Sequence, residues 1–290
     1  MLNMVSRRNK LLIVGLMALL TAFTVLAAAF FEITILYLIV LFCTYINVVL
    51  LIGISSKINK VSSDIQREIS GSLKNDLGKL RVDINRKEQA TYLAQLYAVL
   101  NPIKPFPVLG DSAISPDLAY QYVDYILKHK PKKILECGSG VSTLLTALAL
   151  KKAGGGELIS LENDKKYLEI TEKLLKEHGV NKYVKLKLAP LKRVETMGYD
   201  LLWYSIKEID KLKNIDMVFV DGPPGFIQEL SRLPALPILY SALSKDYVIL
   251  LDDTNRKDEQ LIIDIWKNKY RLDEQKLEAE KGAVILWGQK

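Results

Sequence analysis

The run Lys133-Ile134-Leu135-Glu136-Cys137-Gly138-Ser139-Gly140-Val141-Ser142-Thr143 constrains the fold more than any other part of this chain. An apolar strand enters an acidic residue, then a glycine turn, then a helix start. Glycine lets the backbone approach a ligand closely, and a helix start offers N–H groups with no internal partner. A second apolar strand, Leu158-Ile159-Ser160-Leu161, ends in Glu162, about 22 residues beyond Gly140. A carboxylate at that strand tip can accept from two neighbouring ribose hydroxyls.

A dinucleotide fingerprint needs a third small residue for close packing of helix on strand, and Thr143 stands there instead. Ile215–Val220 reads as a buried strand running into Asp221-Gly222-Pro223-Pro224-Gly225. Tyr247–Leu251 reads as another, running into Asp252-Asp253-Thr254-Asn255-Arg256. Leu233-Pro234-Ala235-Leu236-Pro237-Ile238-Leu239 lies between them, and Ser115-Pro116-Asp117 precedes the glycine turn. With E-x-G-x-G and no third glycine, this set resembles the class I S-adenosylmethionine (SAM) methyltransferases, in a subgroup related to the small-molecule O-methyltransferases. The resemblance covers roughly residues 100–290.

Strands expected at 132–136, 157–161, 183–188, 215–220 and 246–251 alternate with helices at 142–153, 164–178, 234–243 and 257–268. That alternation predicts an α/β, Rossmann-like parallel sheet with helices on both faces. Segments 271–278 and 283–288, joined through Lys281-Gly282, suit the antiparallel terminal hairpin the resemblance implies. Ser115-Pro116-Asp117 predicts a helix start, with serine as cap and proline at the first helical position.

The amino-terminal part is of another kind. From Leu11 to Gly53 the only formally charged residue is Glu32, and these forty-three residues exceed one membrane span of about 20. Two transmembrane helices, roughly 11–30 and 34–53, with a tight turn at Phe31-Glu32-Ile33, are expected. Arg7, Arg8 and Lys10 before them and Lys57 and Lys60 after them place both ends in the cytoplasm. The rival is a signal peptide cleaved near Ala27-Ala28-Ala29, which the apolar run beyond it disfavours. In residues 56–97, Ile58, Val61, Ile65, Ile69, Leu73, Leu77, Leu80 and Ile84 recur at steps of three and four. They predict a helical stalk, bent or broken where Gly71 and Gly78 each cost about 1 kcal/mol. Such a stalk could dimerise, lie on anionic lipid, or pack on its own domain. The expected domains are therefore an anchor at 1–55, a stalk or linker at 56–97, and a methyltransferase domain at 98–290.

Cys43 and Cys137 sit in unlike contexts and suggest neither a disulfide framework nor a zinc site. Cys43 reads as lipid-facing or helix-packing. His129 and His178 lie among lysines and read as solvated. The net charge of +7 comes with no basic stripe interleaved with aromatics, so no nucleic-acid partner is expected.

The resemblance assigns roles. Glu136, Gly138, Ser139 and Gly140, with Cys137 through its backbone and Ser142 at the helix start, would surround the amino-acid portion of SAM. Glu162 would hold the ribose, and Asp221 would face the methyl donor or the acceptor. The adenine contact after the third strand falls on Ala189-Pro190-Leu191 and stays unassigned. Asp221, Asp252 and Asp253 occupy the positions at which catechol-type relatives bind Mg²⁺, with Asp-Asp where those commonly have Asp-Asn. They are candidate metal ligands; otherwise one of them is a general base, or Asp253 pairs with Arg256. The expected acceptor is a small molecule or a lipid- or glycan-linked one near a membrane. A NAD-binding oxidoreductase and a non-catalytic scaffold of the same fold are the alternatives.

Overall fold

The computed structural model describes residues 2–111, 113–205 and 211–290, with side chains from Leu11 onward. The flanking charges Arg7, Arg8 and Lys10 therefore lie outside the described side chains, and Ser112, in the loop 100–114, outside the described residues. Two compact units divide the chain at 1–79 and 80–290.

The first unit is helical. Helix α1 is continuous over Leu2–Leu100 and includes one stretch long and apolar enough to cross a membrane. At Phe31-Glu32-Ile33, where a turn is expected, the helix is continuous, as it is at Gly71 and Gly78. No proline interrupts residues 2–100 and Glu is a good helix former, so local propensity favours continuation. The turn had been inferred from bilayer thickness, which local backbone chemistry does not encode. The boundaries expected at 55 and 97 likewise fall inside this helix.

In the second unit, α2 (Pro116–His129), β1 (Lys133–Cys137), α3 (Val141–Ala153), β2 (Glu157–Glu162), α4 (Lys165–Glu177) and β3 (Val184–Leu188) follow in order. Then come β4 (Leu191–Thr196), β5 (Tyr199–Tyr204), β6 (Ile215–Val220), α5 (Ala235–Leu239), β7 (Leu243–Asp252), α6 (Lys257–Lys269), β8 (Leu272–Leu277) and β9 (Ala283–Gln289). The main sheet has the order β3-β2-β1-β6-β7-β9-β8. Its first five strands are parallel, while β9 runs antiparallel to both β7 and β8. This is the Rossmann-like sheet with the terminal hairpin that the sequence predicts. Central strands buried on both faces explain the unbroken apolar runs. Alternate residues feed opposite cores: Leu135, Ile159 and Val218 pack with Trp203 and Trp266, while Ile134, Leu158 and Phe219 pack with Tyr122 and Leu145.

Three details differ from expectation. A separate two-stranded sheet, β4 with β5, leaves the main sheet just after β3. Its tip, Met197-Gly198, has φ of 52° and 83°, the positive pair of a two-residue hairpin turn. Met-Gly is a poor signal for such a turn, which usually reads Asn-Gly or Asp-Gly. Ser115 precedes α2 but its hydroxyl has no hydrogen-bond partner among the described residues; Asp117 carries the junction, accepting from Leu118 N at 2.7 Å and from Glu280 N at 2.7 Å. His178 is buried rather than solvated, and burial holds its pKa below the usual value.

Candidate active site

The carboxyl ends of β1, β2, β6 and β7 meet at one cavity of about 840 Å³. Open α/β sheets bind ligands at this edge, where neighbouring connections leave to opposite faces. Gly138, Ser139, Ser142, Glu162, Asp221 and Asp253 all line it. Gly138 has φ +96°, a left-handed conformation that side chains rarely adopt, and it lies against the Asp221 backbone, so glycine suits this turn beside β6.

Glu162 closes this turn. Its Oε2 accepts from Ser139 N at 3.0 Å and Ser139 Oγ at 2.8 Å, and its Oε1 accepts from Asp164 N at 2.9 Å. The carboxylate thus sits at the cavity wall with its position set by backbone donors. Glu136 is placed otherwise. It is fully buried beneath the turn and does not line the cavity. Its Oε2 accepts from Thr143 Oγ1 at 2.6 Å and Ser160 Oγ at 2.7 Å, and Thr143 Oγ1 accepts from Gly140 N at 2.9 Å. Glu136 thus supports the turn from beneath, while its Oε1 has no hydrogen-bond partner among the described residues. Thr143, in place of a third glycine, ties carboxyl to turn. Burial raises the Glu136 pKa to about 7, against the lowering effect of its hydroxyl donors.

Cys137 is also fully buried; its carbonyl accepts from Asp221 N at 3.1 Å, and burial raises its thiol pKa. Its backbone thus joins β1 to β6. Gly140 caps α3 without lining the cavity, and Ser142 lines it from the first turn of α3.

On the other side of the cavity, Asp221, Asp252 and Asp253 offer carboxylate oxygens within 4.8 Å of one another. Among them stands Arg232, whose importance the sequence reading missed. Its Nη2 lies 3.1 Å from Asp221 Oδ1 and 2.7 Å from Asp253 Oδ2, and its Nη1 donates to the Asp252 carbonyl at 2.8 Å. Arg256 adds a bond to Asp253 Oδ2 at 2.9 Å, the pairing expected from the sequence, and Lys281 Nζ stands 3.8 Å from Asp253 Oδ1. Asp252 is fully buried and does not line the cavity. Its Oδ1 accepts from Asp253 N at 2.6 Å, and burial plus the neighbouring aspartates push its pKa up. The Asp221 pKa is also raised, by burial first, with Arg232 opposing.

These placements bear directly on a metal. Arg232 occupies Asp221 Oδ1 and Asp253 Oδ2, and so supplies the positive charge a three-carboxylate site would draw from an ion. Asp252 Oδ2 and Asp253 Oδ1 have no hydrogen-bond partner. Each aspartate keeps a carboxylate oxygen that Arg232 does not bond, but Lys281 Nζ, 4.0 Å from Asp252 Oδ2 and 3.8 Å from Asp253 Oδ1, stands where a cation would, so the residues fit an ion only with Lys281 displaced.

Three aromatic residues complete the wall, among them Tyr167 from α4. Tyr204, delivered by the end of β5, is buried with no hydrogen-bond partner for its hydroxyl among the described residues, and burial keeps that hydroxyl protonated. Phe226, in the loop after β6, is 91% exposed at the rim. A lone arginine in Leu230-Ser231-Arg232-Leu233 was the one available sequence signal for Arg232. Tyr204 had none, because its hairpin went unseen.

Residues 135–254 match a family model described as a methyltransferase domain. The chain carries a methyltransferase domain and is an enzyme of that class. The matched segment of this methyltransferase runs from β1 to just past β7 and includes Asp221, Asp252 and Asp253. No curated protein matches the chain in sequence. Among solved structures, it is similar to an O-methyltransferase from Bacillus cereus in complex with SAH, at 17% identity, TM-score 0.47, covering 69% of this chain and 91% of that one. It is also similar to SAH-bound PaMTH1 from Podospora anserina, at 18% identity, TM-score 0.47, covering 69% and 88%. TomG from Streptomyces achromogenes, in complex with SAM, is 18% identical, with TM-score 0.46 and coverage of 70% and 90%. Likeness at this level carries nothing about the acceptor.

Proposed function

We propose that this methyltransferase moves the methyl group of SAM to a hydroxyl oxygen of a small or lipid-linked acceptor, next to a membrane. The observation that carries the reading is one cavity with the glycine turn and Glu162 on one wall and Asp221, Asp253 and Arg232 on the other. Glu162 suits ribose hydroxyls, which would take over from its bonds to Ser139. The cavity volume falls in the range of small-molecule sites and leaves room for an acceptor beside the donor. The sulfonium methyl is already activated, so the protein has to align the nucleophile and accept its proton. Asp221, raised in pKa and at the cavity wall, is the base that fits a hydroxyl acceptor; Asp252 lies behind it and tunes the cluster. Exposed Phe226 suits an acceptor with an apolar portion.

The metal-free version is preferred because Arg232 already bridges two of the three aspartates. Magnesium is the second reading: Asp252 Oδ2 and Asp253 Oδ1, which accept no hydrogen bond among the described residues, would hold it once Lys281 is displaced, and it would supply Lewis-acid polarisation of the acceptor oxygen. The apolar stretch 11–53 is proposed as the anchor. Lys57 and Lys60, with the basic residues before Leu11, favour both its ends on the cytoplasmic side. In a bilayer that requires a break near Glu32, where the structure is continuous.

Full chain in membranes, given SAM labelled in the methyl group, should transfer label to an extractable acceptor, and should do so equally in EDTA. Loss in EDTA with recovery in Mg²⁺ supports the second reading. Folded chain that binds neither SAM nor SAH removes the donor assignment.

A further inference from the structure

Among the described residues of the first unit, the apolar stripe of α1 beyond the anchor is left exposed. Ile58, Val61, Ile65, Ile69, Leu73 and Leu77 are each 50% to 62% exposed. At 1.5 Å per residue the stripe runs about 29 Å, and its members fall on one side of an uninterrupted helix. Ile58, Ile69 and Leu80 are spaced by elevens, a repeat that keeps a seam facing a partner with little or right-handed supercoiling.

We infer that this face docks a second copy of the same chain, parallel and in register. The charges beside the stripe choose the partner and its direction. In a parallel pair the residue before one stripe position meets the residue after a stripe position five or six residues further on in the other helix. Glu68 then faces Lys74 of the second copy, and Asp76 faces its Arg81. An antiparallel pair centred on the stripe sets Glu68 against Glu68 and Lys57 against Lys79, which repel, with only Lys60 against Asp76 in its favour, so the parallel pair has the better balance of charge. A lipid surface is the other occupant to weigh. Here Asp64, Glu68 and Asp76 alternate with the basic residues along the stripe, and acids repel anionic headgroups. The mixed pattern fits a copy of itself better. The inference is independent of the methyl-transfer reading, since no cavity residue takes part.

Full-length chain carrying Cys43→Ser is the background for the test, with Cys137 kept because it is buried. Single cysteines are added as Ile58→Cys, Ile69→Cys and, on the opposite side of the helix, Arg67→Cys. In phosphatidylcholine vesicles, oxidation should give disulfide dimers from Ile58→Cys and from Ile69→Cys, and none from Arg67→Cys. Adding Ile65→Asp should abolish them while cofactor binding stays unchanged. Equal dimer from Arg67→Cys, or no dimer from either stripe cysteine, overturns the inference. So does cross-linking only between Ile58→Cys and Leu77→Cys chains, which means antiparallel packing. Dimers appearing only when phosphatidylglycerol is present overturn it in favour of a lipid surface.

Discussion

Glu162 and Glu136 are both acids at strand ends beside the same turn, and burial geometry gives them different work. Glu162 holds the turn from the cavity side, with three donors at 2.8–3.0 Å, and is the group a ribose would engage. Glu162→Ala should weaken SAH binding by about 1.5–3 kcal/mol, the loss expected for hydrogen bonds to a charged acceptor, measured by calorimetry on the full chain. Unchanged affinity would reduce Glu162 to a turn support. Asp221 carries a second prediction. Its pKa is raised in the folded enzyme, so the base form is present only at higher pH than for an ordinary carboxylate near ~3.9. The rate of methyl transfer should therefore rise with pH through a limb displaced upward from that value. Asp221→Asn should lower kcat by about 10²–10⁴ with SAM binding retained. A rate independent of pH, with Asp221→Asn silent, would move the proton acceptor elsewhere.

Among the elements, α1 shows how far local propensity reaches. Its two stalk glycines predict a break, yet the helix passes through both, because a cost of about 1 kcal/mol per glycine is small beside the bonds of a long continuous helix. A methyl group added at Gly71 or Gly78 meets nothing within 4 Å. Gly71→Ala and Gly78→Ala should each stabilise the helix by about 1 kcal/mol, seen by circular dichroism as helix loss at higher temperature, with methyl transfer unaltered. Lower helix stability would mean that the glycines serve a close contact. The β4–β5 hairpin shows the converse. Its alternation is weak and its turn is Met-Gly, so the sequence hid the element that brings Tyr204 to the cavity.

For the whole molecule, the question is where the enzyme stands relative to a bilayer. A straight helix over residues 11–53 would run about 65 Å, roughly twice the hydrocarbon thickness of about 30 Å. With the break near Glu32 that the proposed anchoring requires, tags at residues 1 and 290 should both be protected in sealed cells, and a reporter inserted at Glu32 should be accessible from outside. An exterior reading for residue 290 would overturn the anchoring proposed above and part the enzyme from cytosolic SAM.

Much of the catalytic unit was legible in the sequence because its determinants are local. Apolar runs of strand length, the glycine turn after β1 and proline at the start of α2 each act through neighbouring residues, and the parallel order follows from their alternation with helices. The carboxylates at the strand tips were legible too, since strand ends of one sheet must meet. What only the tertiary structure decided is which groups those carboxylates face. Glu136 turned inward because Thr143 and Ser160 offer it hydroxyls there, and Arg232, eleven residues beyond Asp221, is carried back to it by the loop after β6. Lys281 reaches the same cluster from the β8–β9 turn. Such pairings join residues distant in sequence, and no periodicity records them.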